Sequence, residues 1–217
     1  MHEILFLSIP FYVNIKTSYS DDTWHAQTRK EVQLMAISHV QFNSYTEDDY
    51  YRLGEDTRAE LIDGKFYYMA APSRLHQEIL SELHVTIHNY IHSKEGSCKV
   101  YPAPFAVKLF DDSKTIVEPD ISVICNPEKL TDKGCAGAPD WIIEIVSPSD
   151  PQRDYDIKLF KYRTAGVREY WIVNPMTRTV TVYDFENGSG TNQYVFENTI
   201  PVCIYEDLTI NIAELLS

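Results

Sequence analysis

The chain has 217 residues, 44% of them hydrophobic and 24% charged, which is ordinary globular composition and excludes a disordered chain. That length suits one domain, with room for an appendage. Acidic residues number 32 and basic residues 19, and the formal charge of -13 excludes a basic coat for nucleic acid, since phosphate contacts need clustered Lys and Arg.

Residues 1–44 show little clear period and read as an N-terminal extension; residues 45–217 read as the folded domain. Ile4 to Ile9 is apolar, but Glu3 precedes it and Pro10 follows, so no signal peptide is expected. Met35 stands before a fluent domain start and is a candidate translation start. No apolar run approaches the roughly 18 residues that span a bilayer, so no membrane partner is expected.

A short helix is expected from Thr46, which with Asp49 forms a capping-box pattern, to Gly54. Glu60-Leu61-Ile62 and Phe66 to Met69 flank Asp63-Gly64, a strong hairpin signal because both turn residues tolerate positive φ. Leu75, Ile79, Leu80, Leu83, Ile87, Tyr90 and Ile91 recur at helical spacing, so residues 74–93 form a long amphipathic helix that Gly96 stops. Strands follow at about 98–109 and 115–125, then a Gly/Ala/Asp-rich loop over 131–140. Trp141 to Val146 is apolar on both faces except for Glu144, as a central strand would be. Ser147 to Pro151 turns the chain into a helix over 152–165, ended by Gly166. Strands at 169–173, 178–185, 193–197 and 207–212 complete an α/β (α+β) fold, a mixed central sheet flanked by helices with extra strands at both ends.

Cys98, Cys125, Cys135 and Cys203 have no zinc-ribbon spacing. They read as reduced, mostly buried thiols of a cytoplasmic protein.

The chemistry rests on Asp120, Glu144, Asp154 and Lys158. A carboxylate inside an apolar strand is costly unless it is paired or binds a metal. Glu144 is such a residue, and Asp120 interrupts a second apolar run. On neighbouring strands the two could aim at one point, which suits Mg²⁺ with water and phosphate completing its ligands. Asp154, Lys158 and Tyr162 follow at i, i+4 and i+8, so one helix face could bring Lys158 to the pair. The alternatives are structural. Asp120 could be a turn residue, Glu144 a partner of Lys158 without metal, Asp154–Lys158 a surface ion pair, and Tyr162 a packing residue. Glu60 and His76 are secondary candidates, whose plainer readings are a solvated strand end and a structural histidine. His84, His88 and His92 read as a solvated stripe, and Asp140 as a residue at the start of a strand.

Arg58-Ala59-Glu60-Leu61-Ile62-Asp63-Gly64, Pro72-Ser73 with His76, Pro119-Asp120, Glu144 to Ser149, then Asp154, Lys158 and Tyr162, and Gly166 to Trp171 occur in that order. In this the chain resembles the Uma-two family of restriction-endonuclease-like proteins over about residues 45–215. The resemblance implies a PD-(D/E)XK nuclease fold and divalent-metal-dependent cleavage of DNA. It implies metal ligands at Asp120, Glu144 and the Ile145 carbonyl, Mg²⁺ as the cofactor with Mn²⁺ as a substitute, and Lys158 as the catalytic amine. Val146 stands where the simple motif has lysine, and Lys158 on the following helix would fill that role. Glu60, His76, Asp154 and Tyr162 would support the site. Arg74, Lys108, Arg153, Lys161 and Arg163 are the expected phosphate contacts, by proximity along the chain. A homodimer would supply two sites for two strands. A nuclease fold kept as a non-catalytic interaction module, and a sugar hydrolase working with two carboxylates, are the alternatives.

Overall fold

The computed structural model describes residues 44–217, with residues 55, 149–152 and 189 excepted. The N-terminal extension, the Met35 start and part of the turn expected at 147–151 lie outside the described residues.

Helix α1 (Glu47–Tyr51) carries the expected capping box, with the Thr46 N–H donating to Asp49 Oδ2 at 2.9 Å. Strands β1 (Ala59–Ile62) and β2 (Lys65–Tyr68) pair antiparallel through Asp63 at φ 50° and Gly64 at φ 74°. Two successive positive φ values match the right-handed twist of a tight hairpin. A side chain at Gly64 would also collide with the Ser44 hydroxyl. Helix α2 (Arg74–Ser93) is capped by Ser73, whose Oγ accepts from the His76 N–H. Its chain reverses at Glu95, φ 51°, one residue before the glycine expected to stop it.

The remaining strands are β3 (Lys99–Pro102), β4 (Val107–Lys108), β5 (Ile116–Val117), β6 (Ile121–Ile124), β7 (Leu130–Thr131), β8 (Gly134–Ala136), β9 (Trp141–Ile145), β10 (Glu169–Asn174), β11 (Thr179–Asp184), β12 (Gly190–Val195), β13 (Ile200–Pro201) and β14 (Thr209–Ile210). They build two mixed six-stranded sheets, β2-β1-β5-β4-β8-β7 and β12-β11-β10-β9-β6-β3, and a small β13-β14 pair. The expected mixed sheet is thus divided. Residues 115–125 supply one strand to each large sheet, because Pro119 interrupts the run. The expected loop at 131–140 contains the β7–β8 hairpin. A four-residue helix, α4 (Ile212–Leu215), was not anticipated.

The second sheet sits between two cores. On one face, Ile79, Leu83 and Ile87 of α2 pack on Trp141, Ile143 and Ile145 of β9 and on Trp171 and Val173 of β10. Burying each of those helix side chains contributes about 1.5–3 kcal/mol. On the other face, Ile142, Val146, Tyr170 and Ile172 meet Tyr162 and apolar residues of the first sheet. Side chains alternate along a strand, so Glu144 falls on the second face, between Ile142 and Val146.

The cysteines depart from the expectation of four reduced thiols. Cys98 and Cys125 form a disulfide. They stand one position beyond the Lys99–Ile124 pair of β3 and β6, directly opposite in register. Cys135 and Cys203 are free, and burial pushes their thiols up to about 11 and about 12.

Candidate active site

Strands β6 and β9 run antiparallel with Ile121 opposite Ile143 and Ser122 opposite Ile142. One step further along this register, Asp120 stands opposite Glu144. Like charges facing each other across a strand pair are destabilising, so something must offset them. Asp120 Oδ2 accepts the Ile145 N–H at 2.7 Å and lies 3.2 Å from His76 Nε2.

Glu144 is held from the other side. Beyond β9 the chain makes a π-helical turn (Asp154–Lys158) that runs directly into α3 (Leu159–Ala165). Single π turns inside helices are frequent at functional sites. This one carries Lys158 back over the sheet. Its Nζ lies 2.9 Å from Glu144 Oε1, 2.9 Å from Glu60 Oε1 and 3.6 Å from Asp154 Oδ1. The Tyr162 hydroxyl donates to the same Glu144 oxygen at 2.5 Å. Glu60 comes from β1, and its Oε1 also accepts the Glu118 N–H at 3.0 Å.

Asp154 and Lys158 are buried, so the pair is not the exposed surface contact that spacing alone allowed. Glu60 is fully buried rather than a solvated strand end, and His76 is buried. Tyr162 packs in the core with its hydroxyl satisfied. Asp140 lies outside the cavity described below; it accepts the Cys125 N–H and pairs with Arg168, which suits a residue that opens a strand.

Charge does not balance here. Glu60, Glu144 and Asp154 gather round one ammonium, and Asp120 faces Glu144 across the strand pair. Burial, and then the neighbouring carboxylates, hold Glu144 well above the usual carboxylate range, although Lys158 opposes them. The same burial pushes Asp154 up to about 6 against the pull of Lys158. Burial works against the charge on Lys158, but Glu144, Glu60 and Asp154 outweigh it and hold the amine well above its ordinary value. Lys158 therefore keeps its proton firmly, while Glu144 and Asp154 resist ionisation.

These groups line a cavity of about 120 Å³ shared with Arg58, Gln77, Glu118, Ser147 and Arg153. One water takes about 30 Å³ in the liquid, so the space suits a hydrated cation or a phosphate group.

A family model described as "Uma2: Putative restriction endonuclease" matches residues 47–213. The chain belongs to the Uma2 family. A crystal structure of "a putative nuclease belonging to DUF820 from Anabaena variabilis ATCC 29413" is similar to it, with 25% identity, a TM-score of 0.64, and coverage of 78% of this chain and 96% of that one. That likeness supports the restriction-endonuclease-like architecture of mixed sheets flanked by helices. No curated protein matches the chain. Among the described residues, no helix is long and apolar enough to cross a membrane.

In this Uma2 chain, only Arg153 of the five expected phosphate contacts lines the cavity, with its guanidinium 4.8 Å from the Tyr67 ring centre. Arg74 pairs with Glu78. Lys108 lies 2.7 Å from Glu47 and Lys161 2.5 Å from Asp63. Arg163 lies over Phe185, 5.7 Å from the ring centre. Sequence reasoning did not single out Glu118, whose carboxylate accepts from the Tyr50 hydroxyl at 2.8 Å and from Arg58 at 3.0 Å. The available signal was the same as for Asp120, an acid within an apolar run.

Among the described residues, no three His, Cys, Asp or Glu side chains converge as a ready-made metal site. Mg²⁺ does not require one, since it keeps several waters and often takes only one or two carboxylates. The donors fit such an ion in kind. Asp120 and Glu144 offer hard oxygens from facing positions, and Glu60 Oε2 is buried with no hydrogen-bond partner.

Proposed function

We propose that this Uma2-family chain is a Mg²⁺-dependent endonuclease that hydrolyses DNA phosphodiester bonds. The observation that carries the reading is the gathering of Glu60, Glu144 and Asp154 round one buried lysine, with Asp120 facing Glu144, on the wall of a single cavity. Asp120 and Glu144, with the Ile145 carbonyl, would hold the metal. When bound, Mg²⁺ supplies Lewis-acid polarisation of the phosphate and lowers the pKa of a water nucleophile. Lys158 keeps its proton, so it donates hydrogen bonds and does not act as a base. It orients the attacking water and stabilises the charge that develops on phosphorus. Tyr162 fixes the Glu144 carboxylate through one oxygen and leaves the other for the cation. His76 fixes Asp120 in the same way. Glu60 and Asp154 keep Lys158 charged and aimed.

The test is cleavage of supercoiled plasmid and of single-stranded DNA by wild type and Asp120→Ala, with Mg²⁺ and with EDTA. The reading expects metal-dependent cleavage that the variant loses by at least a hundredfold, since an electrostatic stabiliser is typically worth about 10²–10³ in rate. Equal activity in the two proteins would overturn it.

A non-catalytic interaction module is the second reading. It is favoured by Val146, by the charge of -13 and by the lack of a preformed metal shell among the described residues. A thermal shift with Mn²⁺ separates the two, because an ion that binds the native state alone raises stability by mass action. The sugar-hydrolase reading needs no lysine; an amine within reach of both Asp120 and Glu144 would count against it, and Lys158 contacts Glu144.

A further inference from the structure

Resting on that nuclease reading, we infer that the site takes single-stranded DNA, with a nucleobase stacked on Tyr68 at the mouth of the cavity. Tyr68 is 65% exposed, and of the exposed large hydrophobic side chains among the described residues it alone lines the cavity. It does not stand by itself. Phe66 lies two residues before it on β2 and so on the same strand face, with ring centres 6.2 Å apart. Tyr45, 42% exposed, lies beyond Phe66 at 4.6 Å. Phe66 and Tyr68 lie on the face of β2 opposite the one on which Tyr67 pairs with Glu60, so the row from Tyr45 through Phe66 to Tyr68 reaches the rim of the cavity and not the carboxylate–lysine cluster inside it. Arg58, with 41% of its side chain exposed, stands on the same cavity wall.

Electrostatics then decides the form of the DNA. Duplex binding draws mainly on phosphate neutralisation by clustered basic residues. This chain carries -13, and of the cations that line the cavity, Arg58 is paired with Glu118 and Lys158 with Glu60, Glu144 and Asp154. Affinity must come from elsewhere. Stacking supplies it for single strands, because every base has a face that an aromatic ring can cover, whatever its sequence. In a duplex those faces are already stacked on their neighbours.

The experiment measures binding rather than cleavage. A fluorescein-labelled thymidine oligonucleotide and a labelled duplex of the same length are titrated with protein in Ca²⁺, and anisotropy is read. The proteins are wild type, Tyr68→Ala and Tyr68→Phe. Single strand should bind more tightly than duplex. Tyr68→Ala should weaken single-strand binding between about 5-fold and about 150-fold, the value of one stacked base, while Tyr68→Phe keeps most of it. Tyr68 is exposed, so neither variant should disturb the fold, and a circular dichroism melt verifies this. Duplex binding as tight as single-strand binding, absent single-strand binding, or a Tyr68→Ala variant that binds like wild type would each overturn the inference. Tyr68-dependent binding in a protein that cleaves no DNA would sink the nuclease reading and leave this one standing. Metal-dependent duplex cleavage that is indifferent to Tyr68 would do the reverse.

Discussion

Lys158 Nζ and Glu144 Oε1 lie 2.9 Å apart in the interior, although 14 residues separate them along the chain. The contact joins a central strand to the π turn that follows it. Removing the amine leaves Glu144, Glu60 and Asp154 buried without their shared cation. Breaking a buried ion pair from one side typically costs about 3–5 kcal/mol. Lys158→Met should lose that order of stability in urea denaturation with EDTA, recover part of it with Mg²⁺, and lose DNA cleavage. A variant as stable as wild type in EDTA would mean that the amine neutralises nothing.

Tyr162→Phe isolates the hydroxyl that donates to Glu144 at 2.5 Å, since the ring stays in the core. Hydrogen bonds to a charged group contribute about 1.5–3 kcal/mol. The variant should lose roughly that much stability, remain folded, and shift the acid limb of the cleavage profile to higher pH. With one donor fewer, the Glu144 carboxylate is harder to ionise.

Asp154 gives a pH test with a definite sign. Its carboxyl titrates near 3.8 in an unfolded chain and at about 6 in the fold. Between those values the native state holds the extra proton. The stability this group contributes is therefore present below about pH 4 and lost as pH rises through about 6. Asp154→Asn removes the titration. In EDTA its stability relative to wild type should climb from pH 4 towards neutrality, by up to roughly 3 kcal/mol at 1.36 kcal/mol per pKa unit. A difference that stays constant with pH would show that burial does not strain this acid.

Mn²⁺ binding should follow the same window, because metal and proton compete for the carboxylate cluster. Melting-temperature increments at fixed Mn²⁺ should grow as pH passes about 6 and be largest near neutrality. An increment that shrinks over this range would place the ion elsewhere.

Local chemistry made much of the fold legible. Asp63-Gly64 specified its turn because few other residues accept two positive φ values in succession. The apolar spacing of α2 gave both ends of a 20-residue helix. Glu144 was visible as the one acid in a strand buried on both faces. Long-range relations were less accessible. Nothing within residues 115–125 says that Pro119 hands its two halves to different sheets. Cys98 and Cys125 are opposite only through the β3–β6 register, which a separation of 27 residues does not disclose. Spacing placed Asp154 and Lys158 on one face, but an exposed and a buried pair share that spacing. Burial came from the π turn and the sheet beneath it, and with it Glu60 passed from the edge of the candidate site to direct contact with Lys158. The basic residues were chosen by chain proximity, and four of the five are turned to other partners.

The central claim is that Asp120 and Glu144 hold one divalent ion between them. A crystal soaked in Mn²⁺ and read by anomalous scattering tests it most directly. The account predicts a single strong peak within about 2.0–2.3 Å of one oxygen from each carboxylate, with waters completing the coordination. A peak that touches neither residue, or none at millimolar Mn²⁺, would contradict it.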